Sequence, residues 1–388
     1  MTGQLRSTLQ THADDLDTWD VDLDSIVRAG DRRMRRRRSV LTGGLAGVLV
    51  VAGGIAAFAG HGNRTGPPPA DQNAKPLTYA VGSVIHTGDR TIDVGKKVVS
   101  LVPTHWGFVF STPDRRLYRE HDGQVRPITT FNGHPSHLSD VSSRLVVSDD
   151  GLVTAWWDGQ RIQTWPGYRG DMVDAFDKTN SFNAESSWPT HEPPRIQAVS
   201  DGHLWFWGGQ HSWIAEVRPM TTTAGWKDSN PPGSGTVVDA AGDKVLVHVA
   251  DGMAVTKANL LPWPIGKQDG WKPGGDLAGV TAQVKHVDSG DLAPDGRHWF
   301  TDDHDQFAVF DSATGKRQNL TAPGFAYVAP YQWRDNDTIA AVAWADLSRD
   351  PSISLLTCHV STNACALTAP DVGTYTEVAI PRGAAFGD

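Results

Sequence analysis

The sequence predicts an all-β chain, a β-propeller preceded by a single transmembrane helix. Three observations carry that expectation. Beyond Lys75, short β-prone runs alternate with Gly, Asp and Pro turns, and no helical apolar period is sustained. One strand–turn–strand unit recurs six times at the period of a propeller blade. Finally, Ser39–Gly60 is an uncharged apolar run that directly follows a cluster of arginines.

The N-terminal part sets an expected address. Residues 1–38 hold 8 Arg and 7 Asp, with Arg35, Arg36, Arg37 and Arg38 against the apolar run. As a helix, residues 39–60 would span about 33 Å, enough for a hydrocarbon core of ~30 Å. The arginines would hold the N-terminus in the cytoplasm and place the rest outside. An alternative is export and cleavage. Arg37-Arg38-Ser39-Val40-Leu41 fits a twin-arginine signal, and Ala57-Phe58-Ala59 has the form of a cleavage site. The long tail and the long apolar run favour the anchor. Gly43 and Gly47 form a G-x-x-x-G, which a stretch this rich in glycine produces by chance. Residues 61–77, with Gly66-Pro67-Pro68-Pro69, read as a semi-rigid linker. The domain expected outside the membrane is 78–388.

Charge excludes one class of partner. Beyond Gly60 there are 27 Lys and Arg against 37 Asp and Glu, so nucleic acid and anionic lipid would be repelled. The only two cysteines, Cys358 and Cys365, lie in LLTCHVSTNACALT, which alternates as a hairpin turning near Ser361-Thr362-Asn363. They would face each other across it as a disulfide, which an exported domain permits. A metal would need two more ligands, and His359 alone does not supply them.

The repeat shows when the units are aligned on their first tight turn. These turns fall near His105-Trp106, Asp150-Gly151, Asp201-Gly202, Gly242-Asp243, Asp295-Gly296 and Asn336-Asp337, 41 to 53 residues apart. Asx-Gly pairs suit hairpin corners, which need positive φ. Before the first unit lies a spare hairpin, Ser83–His86 with Thr91–Val94. After the last comes one further strand, expected at Thr374–Ile380. If the two ends share a blade, the ring closes without an open edge, giving seven blades, with six as the alternative. Tyr168–Pro194 and Met220–Gly235 read as long inter-blade loops.

Ala293-Pro294-Asp295-Gly296-Arg297, Phe310-Asp311-Ser312-Ala313-Thr314-Gly315-Lys316 and the Cys358/Cys365 hairpin carry a resemblance. On these residues the chain resembles the membrane-anchored, extracytoplasmic β-propellers of high-GC Gram-positive bacteria, with WD-type and TolB-like repeats. The resemblance implies a fold and an address, not an activity.

Candidate chemistry is sparse. Of the 15 Trp, Trp156, Trp157, Trp205, Trp207 and Trp299 fall on or beside second strands, where they would fill the wedge between blades. Trp188, Trp226, Trp263 and Trp271, read as loop residues, would suit a sugar- or peptide-stacking face. Ser148-Asp149-Asp150-Gly151 lacks the spacing of a sialidase Asp box. Asp311-x-x-Thr314-Gly315 is matched by an ordinary hairpin, and Asp302-Asp303-His304-Asp305 reads as a solvated tip rather than a calcium loop. Arg169-Gly170-Asp171 is too short to mean anything alone. No catalytic, cofactor-binding or metal-ligating residue is assigned. The expected function is a binding or scaffolding module for an envelope protein or glycan. An exported hydrolase working from the central pocket, or a sensor signalling through its cytoplasmic tail, are the alternatives. Acidic side chains converging at the ring's mouth would favour the hydrolase.

Overall fold

The computed structural model describes residues 74–129, 133–139, 144–166, 180–182, 194–200, 202–208, 211–216, 226–228, 236–249, 252–258, 277–287, 289–301, 307–346 and 351–381. Arg35–Arg38, the apolar run and the Pro-rich linker up to residue 73 lie outside them, as do Asp302–Asp305, Arg169–Asp171, Trp188, Trp263 and Trp271. Among the described residues, no helix is long and apolar enough to cross a membrane.

The described strands form seven four-stranded antiparallel sheets. The chain begins with β1 (Thr78–Val81), β2 (Val84–Thr87) and β3 (Arg90–Asp93). The next sheet holds β4 (Ser100–Thr104), β5 (Gly107–Ser111), β6 (Leu117–His121) and β7 (Gln124–Pro127). It is followed by β8 (Val146–Val147), β9 (Val153–Trp157), β10 (Ile162–Pro166) and β11 (Asn180–Phe182), then by β12 (Arg195–Ser200), β13 (His203–Gly208), β14 (His211–Glu216) and β15 (Trp226–Asp228). The fifth has β16 (Thr236–Ala241), β17 (Lys244–Val249), β18 (Gly252–Ala258) and β19 (Leu277–Lys285). The sixth has β20 (Asp291–Leu292), β21 (His298–Thr301), β22 (Ala308–Asp311) and β23 (Arg317–Asn319). The seventh has β24 (Tyr327–Trp333), β25 (Thr338–Trp344), β26 (Ile353–His359) and β27 (Ala364–Gly373). Six sheets are thus six blades of four consecutive strands. The remaining one is joined from both ends, because β28 (Val378–Ala379) pairs with β1 through Ala80↔Ala379 and Val81↔Val378.

All six aligned turns connect the first and second strands of their sheets. Their chemistry is local. Asp150 Oδ1 accepts the Leu152 N–H at 3.0 Å, Asp295 Oδ1 that of Arg297 at 2.9 Å, and Asp335 Oδ1 those of Asp337 and Thr338 at 2.7 and 2.6 Å. At Gly151 the turn also meets the preceding sheet: the His105 N–H donates to its carbonyl at 3.0 Å, and a Cβ there would fall 2.5 Å from the His105 nitrogen. Only glycine fits that approach at φ +71°.

Seven buried apolar clusters follow the ring, each joining two neighbouring sheets. Trp156 is packed with Val102, Val109 and Leu117 of the preceding sheet. Trp205 meets Val237 and Val245 of the following one, and Trp299 meets Leu246 and Val255 of the one before. All three rings are fully buried, as the wedge-filling reading expects. Val378, Ala379 and Ile380 are buried as well, in the clusters on either side of the joined sheet, so the C-terminal strand completes the core as well as the ladder.

Three expectations need correction. Tyr168–Pro194 and Met220–Gly235 are not only loops, since β11 and β15 lie within them as the fourth strands of their sheets. Trp226 therefore sits on a strand rather than in a loop. The closing strand is confined to Val378–Ala379: β27 runs on to Gly373, and the Glu377 and Val378 N–H groups both turn back onto the Thr374 carbonyl.

Candidate functional site

The first strand of each consecutive sheet lies nearest the ring's axis, and these strands wall a central channel with a cavity of about 120 Å³. Side chains from different sheets converge on it. Asp149 enters from just after β8, Gln197 from β12, Asp239 from β16, Asp291 from β20 and Gln332 from β24. Lys75, just ahead of β1, and Pro381, just after β28, bring both ends of the domain to the same place.

Backbone irregularity aims some of these groups. The pairing slips by one residue between Ile196 and Ala198, between Val237 and Asp239, and between Pro330 and Gln332. Each slip is a bulge on a first strand, and a bulge breaks the in–out alternation of a strand. Val237 thereby stays in the core between sheets while Asp239, two residues on, lines the channel beside Ala240.

The three carboxylates feel one another. Burial, more than any neighbour, raises the pKa of Asp239 well above its ordinary value. The charge of Asp291, a hydrogen bond with its side chain and the charge of Asp149 push the same way. Against them, the Leu292 N–H donates to Asp239 Oδ2 at 2.6 Å. Asp149 is exposed to the channel, and protein atoms still crowd round its carboxyl on the channel side. That crowding pushes its carboxyl up to about 6. Lys75 acts in the opposite sense, Asp291 and Asp150 add to the rise, and a 3.5 Å hydrogen bond from Ser200 Oγ lowers it. Asp239 and Asp291 act as a pair that favours holding a proton between them.

The other polar groups of the lining are largely spent. The Trp333 indole N–H donates to the Asp291 carbonyl at 3.0 Å, and the Tyr331 hydroxyl donates to the Thr78 carbonyl at 3.4 Å. Lys75 is pinned by its backbone: its N–H donates to the Arg334 carbonyl at 2.8 Å, and Arg334 Nε donates to its carbonyl at 2.7 Å. Gln332 Oε1 is enclosed and finds no donor among the described residues.

Cys358 and Cys365 are joined as a disulfide, paired directly across β26 and β27, with Asn363 at φ +58° in the connecting turn. Asp150 belongs to its turn, where its Oδ1 also accepts the Ser148 hydroxyl at 2.5 Å. Asp311 is the corner of an ordinary hairpin, its Oδ1 bound by the Thr314 N–H and hydroxyl at 2.7 Å each. Among the described residues, no group of three His, Cys, Asp or Glu is placed to hold a metal ion. Sequence reasoning missed Asp149, Asp239 and Asp291. The available signal was an acid just ahead of the aligned turn, in VVSDDG, VVDAAGD and DLAPDG, on the strand a propeller turns toward its axis.

Fold and site together define a β-propeller with an acid-lined central channel. No family model matches the chain, and no curated protein matches it. Its fold is similar to several solved structures. Hsv2 of Kluyvelomyces marxianus is 10% identical with a TM-score of 0.39, over 76% of this chain and 98% of that one. A TolB protein of Agrobacterium tumefaciens is 11% identical with a TM-score of 0.33, over 81% and 97%. The GH74 enzyme of Niastella koreensis is 10% identical with a TM-score of 0.41; the match covers 77% of this chain but only 47% of that one.

Proposed function

We propose that the chain is a single-pass membrane protein that displays its propeller outside the cytoplasmic membrane and binds ligands in the central channel. One observation carries the binding half: three carboxylates from three sheets share one half-open cavity. Gathering like charges opposes folding, and such groupings cluster at functional sites. The volume of about 120 Å³ suits a small ligand, well below the ~300 Å³ where drug-sized sites begin. An envelope protein or glycan chain would engage the sheet ends instead. The address half is supported by Arg35–Arg38 ahead of an apolar run, by the acidic balance of the domain and by its disulfide.

Two experiments test the reading. Thermal melts of the full-length chain against small amines, acids, sugars and short peptides should find a ligand that stabilises the wild type but not Gln197→Trp, which narrows the channel. A ligand that stabilises both equally binds elsewhere and contradicts the reading. For the address, protease added to intact cells should digest the propeller while the chain keeps residues 1–38. A soluble product starting near Gly60 would replace the anchor with a cleaved twin-arginine signal.

The hydrolase reading is favoured by the same convergence of acids, above all the Asp239–Asp291 pair beside Asp149, since acid–base chemistry needs a protonated and an ionised carboxyl side by side. Turnover of chromogenic glycosides or esters that disappears in Asp239→Asn would establish it.

A further inference from the structure

The ring is closed by a short joint. β28 meets β1 through two residue pairs, Ala80↔Ala379 and Val81↔Val378, and the Gly82 N–H adds a 3.4 Å bond to the Glu377 carbonyl. The residues just ahead of β1 are fastened to two sheets, the joined one and the seventh. Lys75 donates its N–H to the Arg334 carbonyl at 2.8 Å, and its own carbonyl accepts Arg334 Nε at 2.7 Å. The Leu77 carbonyl takes the Gly88 N–H of the β2–β3 turn at 3.0 Å, while the Leu77 side chain is buried with Tyr331, Leu355 and Ile380.

Arg334 is itself held in place. It stands in the turn between β24 and β25, where its N–H donates to the Thr338 carbonyl at 2.8 Å, and its Nη1 reaches Thr357 Oγ1 on β26 at 3.3 Å. Thr357 Oγ1 shares a 2.8 Å hydrogen bond with Thr368 Oγ1 on β27. A line of hydrogen bonds thus runs from Lys75 across the seventh sheet to its outer strand, bypassing the β1–β28 joint. The planar guanidinium fork suits such a post, because its donors point in fixed directions. The same strand entry also reaches the channel: the Lys75 side chain lines the cavity, where its charge acts on Asp149.

We propose that residues 75–77 form a strap, latched by Arg334, through which the chain ahead of the propeller acts on both the ring's joint and its channel. While the strap is latched, a pull on the residues before Lys75 is borne by the seventh sheet, where β25 pairs with β26 at six positions, rather than by the two pairs that close the ring. Unlatching exposes the joint to that pull and lets the Lys75 ammonium leave Asp149. The strap depends on neither the ligand reading of the channel nor the membrane address.

Hydrogen exchange of the full-length chain tests the joint, and carboxyl NMR of the same protein tests the channel. In Arg334→Met the amides of Lys75, Thr78–Val81 and Val378–Ala379 should exchange about tenfold faster, while those of β12, β13 and β14 stay unchanged. The Asp149 midpoint should move up, as it should in Lys75→Met, because the ammonium that favours its ionised form has left. Asp291 and Asp150, which also act on Asp149, are unaltered in these variants. Arg334→Lys keeps the charge but not the fork and should give the same two changes more weakly; it carries the test where Arg334→Met does not fold. Faster exchange in every sheet alike would make Arg334 a general stabiliser and overturn the strap. Unchanged exchange at the joint would overturn it too, as would an Asp149 midpoint that stays put in both Arg334 variants.

Discussion

The channel at the centre is walled by the first strands, which join the second strands in filling the spaces between sheets, yet the two regions differ in what they hold. Between sheets the side chains are Trp, Phe, Val, Leu and Ala, and Trp156, Trp205 and Trp299 are fully buried. In the channel the first strands present Asp239, Asp291, Gln197 and Gln332 beside apolar residues such as Val102, Val146 and Ala198, with Asp149 just beyond β8. A strand shows alternate residues to opposite sides, and bulges at Gln197, Val238 and Tyr331 reset that alternation where it suits the channel. Stability is therefore concentrated between the sheets. The hub is left free to hold carboxylates that oppose folding, as functional sites commonly do.

The largest effect should come from emptying an interface. Trp156→Ala removes a fully buried ring between two sheets and should cost about 4 kcal/mol in denaturant melts. Its half-buried neighbour Trp157 should cost about 1 kcal/mol in the same assay. Equal losses would mean that the interfaces are not where stability resides.

Next comes Gly252→Ala. That residue sits at φ +146°, and a Cβ would fall 2.1 Å from the Val284 carbonyl oxygen, so β18 would have to part from β19. A loss of about 3 kcal/mol is expected, read as a lowered melting temperature.

The disulfide is a smaller term. It closes a loop of sequence separation 7, for which chain entropy gives about 2 kcal/mol. Cys358→Ala combined with Cys365→Ala should lose that much, and reductant should lower the melting temperature of the wild type but not of the double variant.

The smallest effect has the opposite sign and belongs to the channel. The folded-state pKa of Asp149, about 6, lies above its ordinary 3.8. The folded protein thus holds the proton more tightly than the unfolded chain does. Wild-type stability should fall as pH climbs from about 4 to about 6 and stay lowered above that. Asp149→Asn should therefore stabilise the protein at pH 8, by about 1 kcal/mol once screening by channel water is allowed for, and leave it unchanged near pH 3.5. Destabilisation at pH 8 would remove the carboxyl from the crowded setting described for it.

Much of the fold was legible because hairpin corners have chemistry of their own. Asp150-Gly151, Gly242-Asp243 and Asp295-Gly296 each mark a first turn, and Cys358 with Cys365 marked the last hairpin. What escaped was what local chemistry does not encode. The fourth strands β11 and β15 are three residues each, set in long polar stretches, and are made strands only by the neighbour they pair with. The closing strand was placed too broadly because β-prone residues at Thr374–Thr376 form a turn instead. The channel acids carry one sequence signal, their place just ahead of an aligned turn, but nothing local separates them from the acids of the turns themselves. Asp149 stands beside Asp150, and only the closed ring shows that one serves a turn while the other faces the axis. The bulge that turns Asp239 inward leaves no mark in VVDAA.

Three carboxylates from three sheets share one half-open central channel. The most direct measurement is a pH titration of aspartate carboxyl carbons by NMR on the full-length chain, with Asp149→Asn, Asp239→Asn and Asp291→Asn supplying assignments. Asp149 should titrate near pH 6 and the Asp239–Asp291 pair should hold a proton well above the ordinary carboxylate range, with Asp291→Asn lowering the Asp149 midpoint and Asp149→Asn that of Asp239. Three independent midpoints near pH 4, unmoved by one another's removal, would contradict it.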